Sequence, residues 1–133
     1  VQTRCHFHVL LAKPATSLST RLVYEMYDLT GPGERPDIPA VVRALSMGET
    51  GALRWAVRND LEKAATHLAP EITAVIALLR DLDPLCSGMT GSGSCGYALF
   101  EDEALASQAC LKVSSSRWVS WSCLTESLVE EVR

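Results

Sequence analysis

Apolar and polar positions recur along this chain with two different periods, and the switches between them divide it into strands and helices. Cys5 to Ala12 (CHFHVLLA) is β-rich and continuously apolar after His8, which predicts a strand covered on at least one face and stopping at Lys13-Pro14. Ser19 or Thr20 then stands where a cap belongs, ahead of Leu22, Val23, Met26 and Tyr27 at helical spacing. That helix ends before Gly31-Pro32-Gly33. Pro36 to Gly48 predicts a short helix capped by Asp37, with Ile38, Val41, Val42 and Leu45 as its apolar stripe. Gly51 to Leu68 carries Leu53, Val57, Leu61, Ala64, Ala65 and Leu68 and predicts one further helix. Pro70-Glu71 suits the first turn of the next, since proline tolerates the first helical position and a carboxylate favours the positive helix end. Its apolar face is Ile72, Val75, Ile76 and Leu79, and it closes near Asp83-Pro84.

The period shortens from Leu85 onward. Leu85 to Met89 and Gly96 to Phe100 read as strands around Thr90-Gly91-Ser92-Gly93-Ser94, where every residue is small or carries a hydroxyl. Glycine at 91 and 93 lets the backbone take positive φ and lets another chain or an anion approach the peptide N–H groups. The loop therefore either turns a hairpin or cradles something negative. Asp102 to Val113 is an amphipathic helix with acid at its start and Lys112 near its end, both matched to the helix dipole. Arg117 to Leu124 alternates Trp118, Ser120 and Ser122 against Val119, Trp121 and Cys123, a strand period. Thr125 to Arg133 reads as a short helix or a frayed end. The order strand, helices, strand, loop, strand, helix, strand predicts an α+β layer of four strands backed by helices.

Composition narrows the function rather than the fold. A chain of 133 residues is one domain, burying about two-thirds of its unfolded surface. A net charge of -4 with scattered Lys and Arg argues against nucleic acid, which needs a basic face, though a sugar or nucleotide phosphate can still be held locally. The five cysteines form no CxxC pair, so neither a zinc site nor a disulfide framework is indicated, and free thiols in a reducing compartment are expected. No apolar run approaches the roughly 18 residues of a membrane span, and Val1-Gln2-Thr3-Arg4 is not a signal peptide. The start close to the first strand predicts a piece of a longer protein or a processed chain.

Several residues carry two readings. Tyr24 is either a core aromatic or a flat face for stacking a ring. His6 and His8 point to one side of a strand; without a third ligand nearby they are expected to be surface or edge residues rather than metal ligands. Asp60 and Glu62, two apart on a helix, face different ways and are not a catalytic pair; Asp60 is expected to pair with Arg54 or Lys63. Ser17, Ser19 and Thr20 are capping residues before they are nucleophiles, as no histidine base accompanies them. Trp118 and Trp121 lie on opposite strand faces, so at most one belongs to the core. The other is expected to mark surface left bare by a missing partner domain.

Lys13-Pro14 with Ser17 to Tyr24 (SLSTRLVY), then Asn59-Asp60-Leu61-Glu62 with Pro70-Glu71-Ile72, then Thr90 to Cys95 ending in Ala98-Leu99-Phe100, together resemble one family. This is the C-terminal half of the 4-diphosphocytidyl-2-C-methyl-D-erythritol kinases, in the superfamily of galactokinase, homoserine kinase, mevalonate kinase and phosphomevalonate kinase. The likeness runs in order from about Phe7 to about Trp121. It implies a ferredoxin-like two-layer sandwich with a mainly antiparallel four-stranded sheet. It also implies transfer of the γ-phosphate of ATP, with Mg²⁺, to the 2-hydroxyl of a cytidine-diphosphate-linked methylerythritol in the non-mevalonate route to isoprenoids. By this resemblance Tyr24 stacks on the cytosine, Thr20 lies near the same pocket, and Gly91, Ser92 and Gly93 form the glycine loop beside substrate and phosphate. Asn59 to Glu62 match a helical signature of mainly structural role.

The sequence departs from the family in one respect. The family's N-terminal lysine, its aspartate and its glycine- and serine-rich ATP loop have no counterpart here. Residues 1–133 are therefore expected to be a single C-terminal kinase domain without the N-terminal ATP-binding domain that is its partner. No catalytic residue and no metal ligand is assigned to it, and alone it is expected to be inactive, since phosphoryl transfer works by positioning and charge stabilisation. A cytoplasmic location is expected, or a plastid in a plant or alga, with neither membrane nor nucleic acid as partner. The alternative is a non-catalytic ferredoxin-like binding or interaction module.

Overall fold

A computed structural model describes Thr3 and residues 5–128. The first strand, β1 (His8–Lys13), is followed by α1 (Thr20–Thr30), α2 (Ile38–Met47), a 3₁₀ turn over Thr50–Ala52, α3 (Leu53–Ala56), α4 (Glu62–Leu68) and α5 (Glu71–Arg80). The chain continues through β2 (Cys86–Met89), β3 (Gly96–Phe100), α6 (Glu103–Ser114) and β4 (Trp121–Glu126). The sheet order is β2-β3-β1-β4, with every neighbouring pair antiparallel. This is the ferredoxin-like arrangement, with the first crossover enlarged to five helices.

Register places the core. Leu10 of β1 lies opposite Ala98 and Leu124, and Ala12 opposite Gly96 and Ser122, so one face of the sheet carries a small apolar band. Val75 and Leu79 of α5 and Ala106, Ala109 and Val113 of α6 close over it. A second cluster joins Val23, Ala64, Ala65, Ala69, Ile72 and Ile76 to Met89 and fixes α1, α4 and α5 to the end of β2. All four stripe residues of α5, Ile72, Val75, Ile76 and Leu79, are buried as their spacing predicts. On the opposite sheet face, Phe7, Cys86 and Leu99 pack against Ala44 and Leu53. Caps behave as the residue types require: Ser19, Asp37 and Asp102 each accept a backbone N–H from the first turn of α1, α2 and α6.

Four expectations change. The single helix over 51–68 is broken: Val57 turns extended, residues 57–61 leave the helix, and α4 starts at Glu62. Asn59 and Asp60 therefore precede the helix on which they were expected. In α2 the buried residues are Ala40 and Ala44; of the expected stripe, Val41 and Leu45 pack half-buried against the same cluster, while Ile38 and Val42 face outward. The last strand begins at Trp121 rather than Arg117, since β1, its partner, ends at Lys13 opposite Trp121; residues 116–119 instead form turns. Trp118 and Trp121 are 43% and 50% exposed, so neither belongs to the core. Thr125 and Glu126 extend β4 rather than opening a helix, and the remainder of that expectation, 129–133, lies outside the described residues. Among the described residues no helix is long and apolar enough to cross a membrane.

Candidate functional site

The loop between β2 and β3 is a hairpin closed by two backbone bonds, Thr90 N–H to the Cys95 carbonyl at 2.9 Å and Gly93 N–H to the Thr90 carbonyl at 3.2 Å. Gly91 and Gly93 take φ of +59° and +90°, which ordinary side chains resist. Gly93 is also pressed from three sides: a Cβ there would meet Met89 Sδ at 2.8 Å, Leu18 Cδ1 at 3.4 Å and Ala65 Cβ at 3.6 Å. Ser94 is buried, and its hydroxyl donates to the Thr16 carbonyl at 2.6 Å, tying the loop to the connection between β1 and α1. Thr16 in turn donates from its own hydroxyl to Glu71 at the start of α5.

Two more contacts aim the loop. The hydroxyls of Thr20 and Ser92 lie 3.0 Å apart and share a hydrogen bond across 72 positions of sequence. Thr20 is the first residue of α1, whose free N–H groups give that end partial positive charge. Tyr24 lies one turn on, on the same side of the helix, and its side chain is no core aromatic: the residue is 53% exposed. Thr20 thus meets the loop directly at Ser92, between Gly91 and Gly93, and Tyr24 extends the same side of α1.

Asn59 and Glu62, read from sequence as structural, support the loop from behind. Asn59 Nδ2 donates to the Met89 carbonyl at 2.9 Å and the Gly91 carbonyl at 2.7 Å, while Glu62 Oε1 accepts the Met89 N–H at 3.2 Å. The broken helix at 57–61 is what lets Asn59 reach the loop. Asp60 pairs with neither Arg54 nor Lys63; it accepts from the Tyr27 hydroxyl at 3.4 Å, while Arg54 joins Asp83 and Lys63 donates to the Thr30 carbonyl.

A cleft of about 770 Å³ lies against Asn59, Glu62, Arg58, Cys86 and Tyr97, but Thr20, Tyr24 and Gly91 to Gly93 do not line it. Of its cations, Arg54 pairs with Asp83 at 2.8 Å and Arg58 with Glu34 at 2.7 Å, and Lys63 and Arg80 also line it. Burial pushes the Cys86 thiol up to about 11, against the lesser pull of a Tyr97 hydrogen bond, and burial with the neighbouring Cys86 also raises the Tyr97 phenol. Both stay protonated at neutral pH, so neither serves there as a base. His6 and His8 both face Glu126, at 3.4 Å and 3.7 Å. Among the described residues no three His, Cys, Asp or Glu side chains converge to hold a metal ion.

A four-stranded antiparallel sheet in the order β2-β3-β1-β4 is a frame shared by many functions, and here its β2–β3 turn carries a tied glycine loop. Residues 38–119 match the family model described as GHMP kinases C terminal, and the chain belongs to that family. It is similar to the 4-diphosphocytidyl-2-C-methyl-D-erythritol kinase of Anaplasma phagocytophilum, 36% identical over 104 residues, covering 77% of this chain and 33% of that protein. A crystal structure of 4-(cytidine 5'-diphospho)-2C-methyl-D-erythritol kinase superposes with a TM-score of 0.75 at 25% identity, covering 95% of this chain and 44% of the other. Homoserine kinase from Cytophaga hutchinsonii shares the fold, with a TM-score of 0.72 at 17% identity over 97% of this chain and 44% of its own. The chain spans about a third of the length of the curated relatives it matches.

Proposed function

We propose that this chain is the substrate-side domain of an ATP-dependent kinase acting on the 2-hydroxyl of 4-diphosphocytidyl-2-C-methyl-D-erythritol, a step in isoprenoid synthesis. The observation that carries the reading is the Thr20–Ser92 hydroxyl bridge, which joins the glycine loop to the helix that bears the half-exposed Tyr24. In this reading the Tyr24 ring stacks on cytosine, a contact that any flat π-face can make. Thr20 and Ser92 bond to polar groups of the nucleotide, and the loop at Gly91 to Gly93 lies beside its phosphates. Family membership implies ATP as phosphoryl donor. Among the described residues no three His, Cys, Asp or Glu side chains converge on one point; in this reading the Mg²⁺ ligands, the ATP loop and the group that activates the hydroxyl belong to an N-terminal domain.

The test is kinetic and uses this domain joined to its ATP-binding partner domain. Tyr24→Ala should raise KM for the cytidine-bearing substrate about 5- to 160-fold, from the roughly 1–3 kcal/mol that base stacking contributes, with KM for ATP unchanged. Residues 1–133 alone should transfer no phosphate. An unchanged substrate KM in the Tyr24→Ala enzyme, or turnover by the isolated chain, defeats the proposal.

A further inference from the structure

Asn59 holds the β2 side of the glycine loop. Its amide nitrogen donates to the carbonyls of Met89 and Gly91, and its oxygen accepts the Leu61 N–H at 3.0 Å, so both donor hydrogens and an acceptor are engaged. Met89 ends β2, which is an edge of the sheet among the described residues. Its N–H is taken by Glu62 and its carbonyl by Asn59, so the 59–62 segment closes that edge in place of a fifth strand. Gly91 is exposed and a Cβ there would meet nothing within 4 Å, so side-chain packing does not hold this part of the loop.

We propose that Asn59 is the positioning residue of the glycine loop. Its nitrogen draws two carbonyls, two residues apart, to one point, and this sets the course of Gly91 to Gly93 and turns Ser92 toward Thr20. The device depends on polarity rather than shape. Asp at 59 has nearly the same outline but turns an oxygen toward two carbonyl oxygens, whereas Ala leaves both carbonyls open to water. The order of loop integrity is therefore Asn, then Ala, then Asp. A residue that merely filled space would give the opposite order for the last two. The ligand consequence rests on the reading of this loop as a substrate wall; the loop geometry does not.

The experiment compares the chain with its Asn59→Ala and Asn59→Asp variants by amide hydrogen exchange at Thr90 and Gly93, the hairpin's own donors. Exchange should quicken about tenfold in the alanine variant and about a hundredfold in the aspartate variant, with α6 amides unchanged. Cytidine diphosphate affinity, by titration, should fall in the same order. Aspartate exchanging no faster than alanine, or both matching the parent, overturns the proposal. Should the aspartate variant not fold, Asn59→Leu, which keeps nearly the same outline but donates nothing, must quicken exchange at Thr90 and Gly93 at least as much as Asn59→Ala; exchange matching the parent overturns the proposal. Exchange in the stated order with no cytidine diphosphate binding by the parent keeps the positioning role and removes the ligand reading. Binding that is indifferent to position 59, with unaltered exchange, does the reverse.

Discussion

Gly93→Ala is the sharpest single perturbation of the loop. Two costs add at this position. The backbone sits at φ +90°, in the region that L side chains avoid at about 1–2 kcal/mol. The new methyl would also come within 2.8 Å of Met89 Sδ, with Leu18 and Ala65 behind it, an overpacking that costs roughly 1–3 kcal/mol. Together they predict a loss of roughly 2–5 kcal/mol, a large part of the about 5–15 kcal/mol that holds a domain. Gly91→Ala is the internal control. It shares positive φ, at +59°, but has open space around its Cβ, so only the backbone cost of about 1–2 kcal/mol applies. Urea denaturation followed by circular dichroism separates the two. With a slope of about 1–3 kcal/mol per molar, the midpoint should drop clearly further for Gly93→Ala than for Gly91→Ala. Equal midpoints would refute the claim that Gly93 is held by packing as well as by backbone conformation.

Three further outcomes are expected. Ile72→Ala, at a fully buried position of α5 in the cluster with Met89, should cost about 2–5 kcal/mol by thermal or chemical melting. Tyr24→Ala, half exposed, should change stability by less than about 0.5 kcal/mol while weakening cytidine diphosphate binding, so melting and titration report opposite outcomes for the two variants. Cys86 should resist alkylation at pH 8 in the folded chain and react once unfolded, because its thiol is held up at about 11 against an ordinary 9.0. The same shift has a signed effect on stability. Above an ordinary thiol pKa the unfolded chain loses a proton that the folded chain keeps, so stability falls as pH rises from 9.0 to about 11 and this contribution then levels off.

Local patterns predicted what local forces decide. The α5 stripe, the strands on either side of the glycine loop, the cap at Asp37 and one of the two offered at Ser19 or Thr20 follow from spacing and residue type, whereas Asp102, expected inside its helix as a dipole-matched acid, caps it instead. The break between α3 and α4 was hidden because Leu53, Val57, Leu61 and Ala64 keep helical spacing straight through it. What goes with the break is tertiary, the bonds from Asn59 to carbonyls 30 and 32 positions away. Arg117 to Val119 alternate like a strand, but the β1 register ends at Lys13, which pairs with Trp121 and accepts the Ser120 N–H, a fact of register rather than composition. In the site, the flexibility of Gly91 and Gly93 and the hydroxyls of Thr20 and Ser92 were visible one by one. Their meeting across 72 positions was not, nor was the buried anchor from Ser94 to Thr16.

The central claim, that Thr20, Tyr24 and the Gly91–Gly93 loop form one wall of a nucleotide-diphosphate site, is tested most directly by titrating the isotope-labelled chain with 4-diphosphocytidyl-2-C-methyl-D-erythritol and mapping amide shifts. The account predicts saturable shifts at Thr20, Tyr24 and Gly91 to Gly93, with residues of the separate cleft, such as Arg54 and Arg80, undisturbed. Shifts confined to that cleft, or a loop and α1 terminus that do not respond at saturating ligand, would contradict it.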